Sequence, residues 1–299
     1  MQDDLLWVFE GQTQFWGWVL SARAGVQTKD MVLGMMAQAA GQFAGATPGR
    51  AWRSLADTSR DPVVAARKPK PYQSLARGED YYREGALVWL EADQVIRQGT
   101  GGARGLDDFA RTFFARSSLR PDVNTYERAD VVTALNATHP YDWEAFFRDR
   151  IDLAGRPPPL NGINMAGYRL VWKNRPNPYE AARMDQRREL DLSYSLGFTV
   201  DGEGEVSDPI WDSAGFGAGV VTGTTIVAVD TIAYSIEGLK QAIERARQDK
   251  RPIQMLVRRG NRFSTVPIAY ADGLRWPWLE STNPGGEAPL DRLMAPRAR

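Results

Sequence analysis

Apolar positions recur at helical spacing through the first half of the chain and alternate with polar ones through the second. Trp7 to Ala24 and Thr28 to Phe43 read as two amphipathic helices, with Asp3 or Asp4 as N-cap of the first, Gly25 as its C-cap and Thr28 as N-cap of the second. Gly34, Ala37, Ala39, Ala40, Gly41 and Ala44 give the second helix a small surface suited to close packing. A third helix spans Tyr82 to Gln98 and stops at Gly99-Thr100-Gly101-Gly102, and Leu106 to Phe114, Tyr126 to Asn136 and Tyr141 to Ile151 are three more. Residues 1–153 are thus expected to form an all-helical lobe. The Pro-rich run Ala154 to Pro159 cannot continue a helix and is read as a linker.

Beyond the linker the period falls to two. Tyr168 to Trp172, Leu190 to Tyr194, Thr225 to Val229, Ile253 to Val257 and Phe263 to Ala269 are candidate strands. One helix, Ile236 to Gln248, interrupts them, with Ser235 as N-cap and Glu237 in its first turn. The expected architecture is multidomain, α then β: a helical lobe, then a β domain over 160–272 with one main helix, then a tail over 273–299. Leu274-Arg275-Trp276-Pro277-Trp278-Leu279 is too apolar to stay exposed and should dock, and a short ordered piece is expected around Leu290 to Met294.

Length and charge narrow the classes. A chain of 299 residues has room for roughly two domains. Lys plus Arg equals Asp plus Glu at 37 each, so no net field draws the chain to nucleic acid or an acidic membrane. The cluster Arg67-Lys68-Pro69-Lys70 sits in a stretch punctuated by Pro48, Pro62, Pro69 and Pro71 and reads as a solvated loop. No apolar run reaches the ~18 residues that a membrane span needs. The absence of Cys excludes a disulfide framework and leaves the compartment, cytoplasmic or periplasmic, open.

Two strings carry chemistry. In the first helix Glu10 shares a face with Thr13, Gln14 and Gly17, flanked by Leu6, Val8, Phe9 and Phe15. The string Leu6-Trp7-Val8-Phe9-Glu10-Gly11 resembles the "W-x-x-E-G" helix of zinc aminopeptidases, and the run through Thr13 and Phe15 is most similar to the glycyl aminopeptidases, metallopeptidase family 61. Farther on, Asp80-Tyr81-Tyr82-Arg83-Glu84-Gly85-Ala86 is similar to their "Y-x-K-G-A" segment, with Glu84 in place of Lys. The resemblance implies that Glu10 is the third zinc ligand, after two His upstream, and that Tyr82 by this register, with Tyr81 one residue away as the alternative, hydrogen-bonds the oxyanion. It also implies a peptide substrate attacked at its N-terminus, Gly favoured, and identifies residues 1–153 with the helical half of a thermolysin-like catalytic domain.

The chain holds 1 His and no His-Glu-x-x-His, whereas a hydrolytic zinc site generally takes three protein ligands. It therefore reads as the C-terminal part of a longer peptidase, inactive and zinc-free by itself, with Met1 an expression start. His139, ahead of Pro140, is expected to be a turn residue. In the β half, Ser195-Leu196-Gly197-Phe198 resembles the carboxylate-binding loop of PDZ domains, and Ser213 to Val227 resembles a bacterial PDZ segment. That resemblance implies capture of a C-terminal peptide beside the helix, and with it a second reading, a non-catalytic peptide-binding protein on a helical scaffold.

Overall fold

The computed structural model describes residues 4–64, 72–114, 125–283 and 285–296. Asp3 and the Arg67–Lys70 cluster, with Pro69 and Pro71, lie outside the described residues. Two helices open the fold, α1 over Leu6–Arg23 and α2 over Lys29–Gly45. Leu5, not an aspartate, holds the N-cap position of α1, and its carbonyl accepts from the amide of Val8 at 2.9 Å and of Phe9 at 3.3 Å. Thr28 caps α2 as expected, accepting from the Met31 amide at 3.2 Å.

The Arg83–Gly99 helix is the axis of this lobe. Leu87, Val88, Trp89, Leu90 and Ala92 are all buried, so it is covered on every side. α1 crosses it where Gly11 meets Gly85: a Cβ on Gly11 would lie 3.1 Å from the Gly85 Cα, and one on Gly85 would lie 3.0 Å from the Gly11 Cα. Either would press on backbone. About one helical turn away the crossing is fastened by Trp89, whose indole N–H donates to the Trp7 carbonyl at 2.9 Å while the two rings stack at 6.0 Å. Leu106–Phe113, Arg128–Thr138 and Trp143–Phe147 complete the helical core, and a π turn over Arg148–Asp152 takes up the stretch expected to be the end of one longer helix.

The strands follow, as the alternation predicts. β1 (Tyr168–Lys173) does not join the strands that come next in sequence. It pairs antiparallel with the distant β9 (Trp276–Ser281), Tyr168 facing Ser281 and Lys173 facing Trp276. Between them lie a helix over Pro178–Arg187, a three-stranded sheet β2-β3-β4 (Glu189–Asp191, Thr199–Asp201, Val206–Ser207) and a four-stranded sheet β6-β5-β7-β8, built from Ile232–Ala233, Thr224–Val229, Ile253–Arg259 and Arg262–Ile268. The Ile236–Asp249 helix, capped by Ser235, fills this second core with Leu239, Ile243 and Ala246. The strand expected over Leu190 to Tyr194 stops at Asp191, because the Leu192 carbonyl accepts from both the Ser195 and the Gly197 amides, at 2.9 and 2.8 Å, and turns the chain.

The apolar stretch after residue 273 docks on both cores. Trp276 belongs to the β core, Leu279 to the helical one, and Pro289–Met294 forms the short helix expected there. The Pro178–Arg187 helix was not foreseen. Its start is nonetheless written in the sequence, since Asn177 caps the Glu180 amide at 2.9 Å and Pro178 occupies the first turn.

If the Gly11–Gly85 contact sets the crossing, Gly85→Val forces the two backbones apart and destabilises the chain by roughly 2–3 kcal/mol, as overpacking of a tight site does. Gly17, with open space around it, is the control: Gly17→Ala should stabilise by up to about 1 kcal/mol through helix propensity. Urea unfolding of both variants checks the pair.

Candidate active site

Because α1 and the Arg83–Gly99 helix touch at their glycines, the residues flanking those glycines are brought together. The Tyr82 hydroxyl donates to Oε1 of Glu10 at 2.8 Å across 72 residues of sequence. Glu10 stands on the outer side of α1, beside exposed Thr13 and Gly17, while Trp7, Val8, Gly11 and Gln12 face inward. Phe9, expected to flank Glu10 as an apolar wall, is instead 55% exposed, for it points along that same outer side.

The neighbouring tyrosine is placed differently. Tyr81 is 2% exposed and packs in the helical core, and burial, with the Glu79 charge near it, pushes its phenol well above the usual range. Its ring lies 4.9 Å from that of Tyr82 and so backs the ring that reaches Glu10.

The N-terminus of the helix that carries Tyr82 is held by buried charges that sequence reading did not find. Glu84, in the position where the resembled segment has Lys, is buried and accepts from Arg50 Nε at 2.8 Å and from Arg77 Nη2. Arg77 Nε also donates to Asp80 at 2.6 Å, and Arg77 Nη1 to the Arg53 carbonyl at 2.6 Å. Arg53 in turn pairs with Asp57 and Asp61. Arg50 reaches the Arg156 and Pro157 carbonyls, both at 3.1 Å, so the Pro-rich linker is tied to this network. Burial pushes the Asp80 carboxyl up to about 6, against the lowering effect of Arg77 and with the Glu84 charge adding to the rise. A glutamate in the first turn also suits the helix dipole, but here its chief partners are two guanidinium groups.

One carboxylate does not make a metal centre. Among the described residues no group of three or more His, Cys, Asp or Glu is placed to hold a metal ion. His139 cannot assist Glu10: it ends the Arg128–Thr138 helix in an extended conformation and packs on Gly99, at the far end of the central helix from Tyr82, roughly 25 Å away by helical rise. Among the described residues no helix is long and apolar enough to cross a membrane.

The Ser195–Phe198 loop is built inward. Leu196 and Phe198 are fully buried, the Ser195 and Gly197 amides are both spent on the Leu192 carbonyl, and the Ser195 hydroxyl accepts from the Arg275 amide at 3.1 Å. Gly197, at φ +88°, is covered by Ser213. The strand after the loop, β3, pairs with β2 on one side and β4 on the other, so it offers no edge to which a C-terminal peptide could add. Two of the loop's four amides are thus engaged internally and β3 has a strand on each side, so the structure lends peptide capture at this loop no support.

The profile of the M61 glycyl aminopeptidase family matches residues 1–88, the span that contains both Glu10 and Tyr82. The fold is similar to the crystal structure of an aminopeptidase N family protein from Idiomarina loihiensis, at a TM-score of 0.69 and 15% sequence identity over 98% of this chain. The chain covers 49% of that structure, about half its length. No curated protein sequence matches.

Asp80 gives the network a pH signature. Its folded carboxyl titrates near 6 and its unfolded one near 4, so between these values the folded state keeps a proton that the unfolded chain has released. Stability should fall as pH rises from about 4 to 6, by up to roughly 3 kcal/mol at about 1.4 kcal/mol per unit, and level off above. Asp93 and Glu180, also raised by burial, slope the same way. The diagnostic is thus the difference between wild type and Asp80→Asn in urea unfolding at pH 4, 5, 6 and 7, which should change by up to roughly 3 kcal/mol between pH 4 and 6 and little above.

Proposed function

We propose, from the match of residues 1–88 to the M61 glycyl aminopeptidase family, that this chain carries the carboxylate and the phenol of a zinc-dependent aminopeptidase site that removes N-terminal residues, glycine favoured, from peptides. The observation that supports this reading is the 2.8 Å hydrogen bond between Tyr82 and Glu10, which unites the two family-like strings at one point. Glu10 fits the metal as one ligand of a set, with two histidines and a general-base glutamate contributed by sequence outside this chain. A zinc ion there supplies Lewis-acid polarisation of the scissile carbonyl and an acidified water. The span of this chain, about half of the similar solved structure, supports reading it as one portion of such an enzyme, and in this proposal that portion is inactive by itself.

Within that portion the division of labour follows from position. Glu10 is a partly exposed carboxylate on a rigid helix and is held in orientation by the phenol. Tyr82 is the donor that can turn from Glu10 to a peptide carbonyl oxygen as negative charge grows on it, and the packed ring of Tyr81 limits how far it swings. Glu84, bound to Arg50 and Arg77, is a positioning residue that fixes the turn from which Tyr82 projects.

The test compares this chain with a form extended upstream to include a His-Glu-x-x-His helix, each with and without Glu10→Gln, by zinc content and hydrolysis of a chromogenic glycyl substrate. The extended form should hold zinc and turn over, and Glu10→Gln should abolish both. In the same extended form Tyr82→Phe should lower kcat on the order of 100-fold with KM little changed, the loss expected for one oxyanion donor, and Tyr81→Phe should cost less than a few-fold. Full activity without the Glu10 carboxylate would refute the assignment.

A further inference from the structure

A cleft of about 1050 Å³ opens between the helical lobe and the β half. One wall is a stripe of α2 that includes Met31, Met35, Gln38 and Gln42, and the facing wall is the Pro178–Arg187 helix with the turn at Tyr194. Among the described residues three arginines line it, Arg83, Arg183 and Arg187. Two are committed: Arg183 pairs with Glu180, Glu189 and Asp191, and Arg187 with Glu189. Among the described residues Arg83 has no carboxylate in ion-pair contact. Its guanidinium makes one hydrogen bond there, from Nη1 to the neutral side-chain oxygen of Gln42 at 3.0 Å, and its charge also acts on the Glu180 carboxyl.

Arg83 is also the residue next to Tyr82. Successive residues at a helix start point about 100° apart, and here the Tyr82 side chain goes to Glu10 on α1 while that of Arg83 goes to Gln42 on α2. We propose that Arg83 binds the free C-terminal carboxylate of a short peptide lying in this cleft, which makes short peptides with an unblocked C-terminus the preferred substrate class. A planar guanidinium receives a carboxylate through two parallel hydrogen bonds, and Gln42 holds it in place for that contact. The inference rests on the reading of Glu10 and Tyr82 as the reacting centre for calling the bound peptide a substrate and for the direction in which it runs.

Binding tests it without turnover. Triglycine, triglycine amide and acetate are titrated into this chain and into Arg83→Gln and Arg83→Lys, followed by NMR. Triglycine should bind about tenfold more tightly than its amide, Arg83→Gln should erase that difference, and Arg83→Lys should keep part of it. Equal binding of acid and amide, no binding of either, or a difference that survives Arg83→Gln overturns the proposal. Acetate binding as tightly as triglycine overturns it too, since the site would then be one for small anions in general. Because Glu10→Gln leaves Arg83 untouched, an acid-over-amide preference retained in that variant, in a protein shown not to hydrolyse, separates failure of the peptidase reading from failure of this one.

Discussion

The candidate site exists because two helix backbones touch. Gly11 and Gly85 have no Cβ, and at their crossing any side-chain atom would fall within 3.1 Å of the other helix's backbone. This contact sets the distance between Glu10, one residue before the first glycine, and Tyr82, three residues before the second. The hydrogen bond between them bridges 72 residues of sequence at 2.8 Å. The stacked Trp7 and Trp89 fix the crossing from the buried side, so a polar contact at the surface inherits its precision from an apolar one beneath it.

A second constraint acts at the helix start. Tyr82 lies between Asp80 and Glu84, and both carboxylates are buried against Arg77, with Arg50 closing the group. Buried ion pairs of this kind add little net stability, because desolvation offsets most of their attraction, but removing one partner leaves an unpaired buried charge and is costly. The network therefore acts chiefly on geometry. It leaves the turn from Glu79 to Glu84 one low-energy arrangement, in which Tyr82 faces outward and Tyr81 inward.

Much of this was legible in the sequence, to the extent that it was local. The helical period located α1, α2 and the Arg83–Gly99 helix to within a few residues, because each carries a continuous apolar face and ordinary caps. Glu10 and Tyr82 stood out through short strings. What stayed hidden depended on long-range partners: Arg50 and Arg77 are anonymous surface-type residues until the fold brings Glu84 between them, and Phe9 reads as a core residue until α1 is rotated against its neighbour. The Ser195–Phe198 loop shows the opposite case: its string matches a binding motif, yet its Ser195 and Gly197 amides bond Leu192, and β2 and β4 lie on either side of β3.

The pairing of β1 with β9 was the least foreseeable element, and it determines how the cleft is held. The chain leaves the helical core at β1, builds the β half, and returns at β9, so everything from Pro178 to Leu274 is anchored at both ends on one two-stranded ribbon. A single flexible linker at the Pro-rich run would let the two parts drift. The ribbon instead packs Tyr168 and Leu279 into the helical core and Trp276 into the other. Asn177 adds a fixed point beside it, donating to the Pro277 carbonyl at 2.9 Å while its side-chain oxygen presses against Gly34 of α2. Across the cleft mouth, Ser74 accepts from the Trp211 amide at 2.9 Å and Tyr194 donates to the Gln38 carbonyl at 3.3 Å. A groove walled by two cores and tied on both flanks keeps its width, so the side chains that line it hold fixed positions relative to one another.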